Sequence, residues 1–495
     1  MTLPNPPNIR ALHERRGAET LRRIILLIFL VLIGPGASWA LGPAQNDAPE
    51  EPGTQAVQVS GDFGVRKSYL VPALEVTGFV AGLNAYDRLT GQEKTEDGKN
   101  LFDTSLSTFW DNTAHGHWGV DDDPFDTNQL GHPYNGSIYQ GFARSAGLNF
   151  WESFACTFAG SFLWETAGET TPPSLNDQIA SGIAGNFFGE PLFRMASLVL
   201  EGGGGRPGVW RELGAAVLSP PTGFNRLVFG GRFKPIFKNH DPAYFWRFGL
   251  GESINSHPEV VTQYIPAVDF AMYYGLPGKE GYGYRHPFDY FDFRFTVLAH
   301  SKNPVENIMV SGLLFGEGYD AGGDCRGVWG LYGSYDYLSP HLFKESSTAV
   351  SLGTTAQWAP FSGAALQGSV LGGAGYGAAG IDKEDTRTYR YGTTFQVTSD
   401  LRLTIADLAQ VEAGAREYYV SRLGGTRPAG NELIGRYSAG ITVRVYGRHA
   451  LGFRYVSTLR DGESSGRPDQ RQSLDSFSVY YTFLSDTLFG AVRGQ

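Results

Sequence analysis

Charge is scarce in this 495-residue chain: Asp, Glu, Lys and Arg together make up 18% of it, against about a quarter in ordinary water-soluble proteins. What charge there is leans acidic, with 40 Lys and Arg against 50 Asp and Glu and a formal net charge of −10. Nucleic acid, which demands basic stripes, therefore finds no support as a partner. Cysteine is almost missing. Cys156 and Cys325 are the two present, too few for a disulfide-stapled scaffold and too far apart to pair from sequence. Cys156 reads as a small buried residue on a helix. Past the N-terminus no stretch approaches the ~18 consecutive apolar residues of a membrane-spanning helix. A His-Glu-x-x-His zinc signature is absent. The glycine run after Glu201, Gly202 to Gly205, lacks the Lys-Ser/Thr ending of a phosphate loop and reads as a hinge.

Glycine and aromatics are what the chain has in excess: 66 Gly, and 14% Phe, Trp and Tyr. That mixture suits many tightly turned strands with aromatic girdles. At the N-terminus Arg15, Arg16, Arg22 and Arg23 precede an apolar run from Ile24 to Ile33. Gly34-Pro35-Gly36 ends the run, and Ala37-Ser38-Trp39-Ala40 follows with small residues. A positive flank, a short apolar core and a small-residue exit spell a secretory signal over residues 1–40; a retained anchor is the competing reading. Leu41 to Thr54, rich in Pro, Gly and acidic residues, opens a tail over 41–64 that is predicted to be disordered.

From about Phe224 onward, segments of roughly ten residues alternate apolar and polar between turn residues. Phe477, Val479, Tyr481 and Phe483 share one face, with Ser476, Ser478, Tyr480 and Thr482 on the other. The same holds for the rows Tyr437 to Val445, Phe291 to Val297 and Tyr389 to Val397. A soluble sandwich also alternates. Here the apolar rows are aromatic-rich, the opposite rows are Gly, Ser and Thr with occasional Arg, and a secretion signal precedes them. Strands satisfy every backbone group in lipid only by closing. The expectation is an antiparallel transmembrane β-barrel over 224–484, of about twelve strands within a range of ten to fourteen. Its expected place is the outer membrane of a Gram-negative bacterium, with membrane lipids and the barrel-assembly machinery as partners. The last strand resembles the aromatic-ended signal read by that machinery, although Leu484 to Gln495 follow it.

Residues 65–218 read as a helical domain, placed as a plug in the lumen or a cap on the periplasmic side. Three helix starts stand out: Ser137-x-x-Gln140, Asn149-x-x-Glu152 and Ser174-x-x-Asp177. Trp151, Phe154, Phe158 and Phe162 form a helical stripe after the second. Gly182, Gly185 and Gly189 line a small-residue face after the third, which allows another backbone to approach closely. A further helix, Val209 to Leu218, leads toward the strands.

The densest polar chemistry runs from Asp111 to Glu190. Asp123 through Asn128, His132-Pro133, Gly136, Ala143-Arg144, Ser161, Trp164-Glu165, Glu169, Asn176-Asp177 and Gly189-Glu190 are its fixed points. This set, over roughly Trp110 to Glu190, resembles an uncharacterised bacterial envelope family known only as a domain of unknown function. The resemblance implies an envelope location and carries no reaction.

Glu165 and Glu169 are four apart, so a continuous helix puts both on one face, at the end of a buried aromatic strip. Buried carboxylates need partners or shifted pKa values, and Arg144, His132 and the Asn176 amide are the candidates by type. One reading makes His132, Glu165, Glu169 and Asp177 an acid–base set acting on an ester or lipid. The other makes Asp123, Asn128, Arg144, Ser161, Trp164, Asn176 and Glu190 a polar network that holds helices in place. His115-x-His117 with His132, and the run Asp121 to Asp126, were weighed as metal ligands. Neither matches a specific pattern, so no metal or cofactor is expected. Two functions follow: a barrel serving envelope structure or passage of a small solute, or a lipid-directed hydrolase or acyltransferase.

Overall fold

The computed structural model describes residues 67–90, 100–121, 123–203, 207–233, 236–257, 260–299, 304–340, 342–381, 389–422, 424–425, 430–464 and 468–492. The expected signal segment and the tail after it lie outside those residues.

Period-two alternation in the second half becomes twelve long strands. They are β1 (Tyr244–His257), β2 (Val260–Tyr274), β3 (Phe291–Leu298), β4 (Val305–Gly322), β5 (Cys325–Leu338) and β6 (Phe343–Phe361), followed by β7 (Ala364–Ile381), β8 (Tyr389–Ile405), β9 (Ala409–Ser421), β10 (Gly430–Tyr446), β11 (His449–Ser464) and β12 (Gln470–Leu484). A two-residue ladder, Gly424–Gly425, lies beside the start of β8. Each strand pairs antiparallel with its sequence neighbours, and β12 returns to β1 with Phe483 opposite Phe248 and Phe477 opposite Ile254. The sheet is thus closed, with the expected even count. The β4–β5 hairpin turns on Gly323 and Asp324, both at positive φ, as a tight two-residue turn with right-handed strand twist requires.

The wall is apolar outside and charged inside. On β8, Phe395, Val397, Leu401, Leu403 and Ile405 are exposed, while the alternating Arg390, Thr394, Gln396, Asp400 and Arg402 are buried. A water-soluble sandwich has the opposite arrangement, so this wall is built for hydrocarbon. Buried charges must pair, and here they pair across the lumen. Arg436 of β10 meets Glu306 of β4 at 2.8 Å, and Arg294 of β3 meets Asp400 of β8 at 2.9 Å. Arg416 of β9 meets Asp336 of β5 at 3.1 Å, and Arg247 of β1 meets Glu412 of β9 at 2.9 Å. A cavity of about 20 Å³ beside Asp292, Arg294, Asp400 and Arg402 has room for about one water molecule.

The tail after β12 fills one end of the lumen. Phe489 packs on Phe245, and its carbonyl accepts from Gln410 Nε2 at 3.2 Å. The Gly490 carbonyl accepts from Gln367 Nε2 at 2.9 Å. This C-terminal segment, which made the last strand depart from the usual aromatic ending, is what occupies the barrel.

The helices do not. They are α1 (Leu70–Thr90), α2 (Leu106–Ala114), α3 (His132–Ser145), α4 (Phe150–Ala167), α5 (Leu175–Ile179), α6 (Gly185–Glu201), α7 (Val209–Leu218) and α8 (Pro220–Val228). Single π-helical turns, Thr127–Gly131 and Ala180–Ala184, run directly into α3 and α6. Strand parity settles where the block sits. Trp329 and Leu331 on β5 face outward and are exposed; Gly333, Tyr335 and Tyr337 share that face and are covered. A Cβ on Gly333 would meet the Phe187 ring of α6 at 2.7 Å, and Phe188 packs on Tyr335 and Phe293. The helical block therefore docks on the outer wall, over the outward faces of β2 to β8, and the lumen plug, one of the two placements expected for it, is corrected. The row Phe291 to Val297 reads the same whether it meets lipid or a helix, so sequence could not tell the two apart.

Candidate functional site

Two helix starts fall where expected. Asn149 Oδ1 accepts from Glu152 N at 2.9 Å, Glu152 Oε2 accepts from Asn149 N at 2.8 Å, and Ser174 Oγ accepts from Asp177 N at 3.3 Å. The third does not. Ser137 lies inside α3 and hydrogen-bonds the Tyr134 carbonyl at 2.6 Å; the helix begins earlier, at the π turn before His132. The aromatic stripe of α4 is likewise not buried. Trp151, Phe158 and Phe162 are 43%, 42% and 37% exposed, and Trp151 stacks at 5.1 Å on Phe315, an outward residue of the barrel. Leu70, Leu74, Trp210, Leu213, Phe224 and Leu227 of the same block are also exposed. Exposed apolar side chains in this number mark a face built for an apolar surrounding, and at Trp151 that face meets the barrel's outward wall.

Beneath it lies a polar centre. Gly136 of α3 and Gly185 of α6 touch backbone to backbone, which carries the two π turns past each other. His132, at the exit of one, and Ser181, inside the other, meet with Nδ1 and Oγ 3.0 Å apart. π turns inside helices recur at functional sites. His132 Nε2 faces Asp177 Oδ2 of α5 at 3.9 Å, beyond hydrogen-bonding range. Glu165, in the last turn of α4, completes the group. One donor atom from each of His132, Glu165 and Asp177 lies within 4.8 Å of the others, and all three residues are buried.

The rest of the expected constellation divides in two. Asp121, Asn128 and Asn176 join the centre. Asn176 Nδ2 donates to Asp177 Oδ1 at 3.0 Å and to Asp121 Oδ1 at 3.2 Å, while Asn128 Nδ2 donates to Asp121 Oδ1 at 2.5 Å. The barrel supplies Tyr389 and Tyr391, whose hydroxyls each accept from Asn128 at 3.0 Å; Tyr391 also accepts from Asn176 at 3.1 Å. The Asp123 carbonyl accepts from Tyr389 at 2.5 Å. Arg144 is elsewhere: it forks onto Glu190 at 2.8 and 3.0 Å, alongside Arg194 and Gln140. The expectation that Arg144 partners the carboxylates is corrected; its partner is Glu190. Arg194 runs on to Asp289 at 3.1 Å, tying that second cluster to the barrel. Ser161 is buried one turn before Glu165, with no hydrogen-bond partner for its hydroxyl among the described residues.

Glu169 is not on the face expected for it. α4 stops at Ala167, and the chain bends at Gly168. Glu169 Oε1 accepts from Trp164 Nε1 at 3.0 Å, and Oε2 accepts from Thr171 at 3.1 Å. His115 and His117 are exposed on the surface, apart from His132. Gly462-Glu463-Ser464-Ser465-Gly466 has the spacing of a nucleophile elbow, but Ser464 ends β11 and holds Arg390, and a strand follows where the elbow needs a helix.

Burial dominates the electrostatics. It pushes His132 down to about 4, only partly offset by Asp121, so the imidazole is neutral at pH 7. It pushes Glu169 up to about 8, with Asp123 and Asp121 adding repulsion. Glu165 and Asp177 are raised well above the carboxylate range, by burial first and then by neighbouring acids. Asp121 goes the other way: hydrogen bonds from Asp177, Asn128 and Asn176 and the His132 charge outweigh its burial. Among the described residues, Asp121, Glu165, Glu169 and Asp177 have no Lys or Arg within ion-pairing distance.

Sequence reasoning named His132, Glu165 and Asp177 but missed Ser181, Tyr389 and Tyr391 as members of one site. Ser181 stands in no motif, and the tyrosines come from a strand more than 200 residues away in sequence.

Residues 117–221 match the family model described as a domain of unknown function (DUF3943), in keeping with the resemblance read from the polar motifs. No curated protein matches the sequence. Among solved structures, the NanC porin aligns at 8% identity over 47% of this chain and 98% of its own, with a TM-score of 0.26. OmpT, an outer membrane protein of Vibrio cholerae, aligns at 9% identity over 49% and 100%, TM-score 0.19. OccK8 (OprE) of Pseudomonas aeruginosa aligns at 10% identity over 49% and 98%, TM-score 0.16. Likenesses this low carry no argument, and the closed barrel stands on its own strand pairing.

Proposed function

We propose that this is an outer-membrane enzyme that hydrolyses an acyl ester of a membrane lipid, with the barrel as its mount and the helical block as its working part. One observation carries the reading: a buried His–Ser–carboxylate centre sits between two π turns, in a block with exposed apolar residues that meets the barrel's outward wall at Trp151 and Phe315. A substrate dissolved in the acyl layer reaches such a face without entering water. Membrane lipids are thus the partners, and insertion by the barrel-assembly machinery agrees with the aromatic strand Phe477–Phe483.

With Ser181 Oγ 3.0 Å from Nδ1, the tautomer that donates from Nδ1 to Ser181 keeps a lone pair on Nε2, and this is the form that acts. The 3.9 Å gap to Asp177 argues against a serine triad, in which the carboxylate holds the imidazole by a hydrogen bond. Water is therefore the nucleophile. It yields a proton to Nε2 and attacks the ester carbonyl. The carbon–oxygen bond breaks, and the departing alkoxide takes a proton from Glu165 or Asp177, which His132 then restores. General acid–base catalysis of this kind contributes about 10²–10⁴-fold.

The test is acyl-ester turnover by the purified full chain in lipid micelles. His132→Ala and Glu165→Gln lower it by about 100-fold or more, with the barrel still folded. Turnover that is undetectable, or unchanged in both variants, overturns the proposal. A second reading, a structural clamp, is favoured by the hydrogen bonds of Tyr389 and Tyr391 to Asn128 and Asn176. On that reading Glu165→Gln changes thermal stability alone. Passage of a solute has less support, because ion pairs and the C-terminal segment occupy the lumen.

A further inference from the structure

We infer that His132, Glu165 and Asp177 bind a divalent first-row metal ion, with one ring nitrogen and two carboxylates as ligands and an open position left for water. The donor atoms already lie within 4.8 Å of one another, a span that a single ion at about 2 Å from each closes with small side-chain movements. Three protein ligands with a vacant fourth position is the usual form of a catalytic zinc site, and a mixed imidazole–carboxylate set suits zinc or manganese.

Two further observations point to an ion rather than to a closed acidic cluster. The His132 side chain is more than nine-tenths buried, and its Nε2 is turned toward Asp177 Oδ2 at 3.9 Å. At that separation, beyond hydrogen-bonding range, the two atoms can share an ion. Each ligand is also held from behind. Ser181 Oγ hydrogen-bonds His132 Nδ1 at 3.0 Å, Ser174 N donates to Glu165 Oε2 at 2.9 Å, and Asn176 Nδ2 donates to Asp177 Oδ1 at 3.0 Å. Outer contacts of this kind fix the tautomer and aim of metal ligands. The sequence hid the set because its members come from three separate helices, at spacings that match no zinc pattern.

When bound, the ion would activate the water in place of His132 Nε2, so the inference rests on the ester hydrolysis proposed above while replacing its base and acid; its binding is measured separately. The experiment takes the full chain in micelles, stripped with a chelator and titrated with Zn²⁺ and Mn²⁺ by calorimetry, in a His115→Ala/His117→Ala background that removes the exposed histidine pair. One equivalent is expected to bind. His132→Ala abolishes binding, the near-isosteric Glu165→Gln weakens it at least 100-fold, and Ser181→Ala weakens it by about 10–100-fold, with gel mobility and circular dichroism reporting that the barrel is intact. Absence of stoichiometric binding, its loss in the His115/His117 background alone, or binding unchanged in both His132→Ala and Glu165→Gln overturns the inference. Metal bound without ester turnover overturns the hydrolase reading and leaves the site; turnover that survives chelation overturns the site and leaves the hydrolase reading.

Discussion

Gly136 and Gly185 touch through their backbones: a Cβ on Gly185 would lie 2.5 Å from Gly136 Cα, and one on Gly136 would strike the Ser181 carbonyl. The obstacles are main chain, so neither helix can yield by rotating a side chain. Gly136→Ala is expected to lower stability by about 1–3 kcal/mol through overpacking and to part Ser181 from His132, with loss of any metal or ester activity. Gly182→Ala is the contrast, since its Cβ meets the flexible ring of Phe158 at 2.8 Å. Thermal unfolding of the two variants checks this; equal cost at both positions contradicts the backbone contact.

The ion pairs that cross the barrel predict a protein that does not conduct. In planar lipid bilayers the wild type is expected to give no sustained channel steps, and regular open steps would show that the lumen network parts in the membrane. Arg416 faces Asp336, Asp400 and Asp292 at 3.1, 3.4 and 3.9 Å. Arg416→Met leaves those carboxylates without their cation, at a cost of about 3–5 kcal/mol. Urea unfolding in micelles reads that loss; a change under about 1 kcal/mol contradicts a tightly paired lumen.

The barrel was legible because the pleat puts every second residue on one face, and Phe477 to Phe483 or Tyr437 to Val445 keep that period without a break. The caps at Asn149 and Ser174 were legible for a similar reason, being local hydrogen bonds between residues three apart. What was hidden depends on long-range contact. Tyr389 and Tyr391 read as part of an apolar outward row and instead meet the helical block. Ser137-x-x-Gln140 has the form of a capping box, but the chain is already helical from the π turn at Thr127–Gly131 into α3, so Ser137 falls inside a helix. Glu169 fell out of register because the helix ends two residues before it. Lumen plug and periplasmic cap were equally open for the helices, because a helical pattern says nothing of where the block docks; one end of the lumen is filled by the short segment around Phe489 and Gly490.

Trp151 tests whether the helical block lies in lipid. Its ring stacks on Phe315 at 5.1 Å and 14°, and much of it remains exposed. In vesicles of brominated phospholipid, the wild type is expected to show strong tryptophan quenching. Trp151→Phe removes a measurable part of the quenched signal while keeping the stack. An unquenched Trp151 would place the block in water, and the route by which a lipid reaches His132 would go with it.

Glu169 gives the block a pH dependence with a definite sign. Its carboxyl is held up at about 8 in the folded chain, by burial first and by Asp123 and Asp121 next, against an ordinary value of 4.5. The folded state therefore binds the proton more tightly than the unfolded state does. The stability this contributes is fully present below about pH 4.5, declines as pH rises, and is gone above about pH 8. Melting of the helical block, followed by tryptophan fluorescence, is expected at a lower temperature at pH 8.5 than at pH 5.5. Glu169→Gln keeps an acceptor for Trp164 Nε1 and cannot ionise, so its melting temperature changes less between the same two values. A wild-type block that gains stability over this range would mean that Glu169 is already ionised when folded, which requires a positive charge close to it.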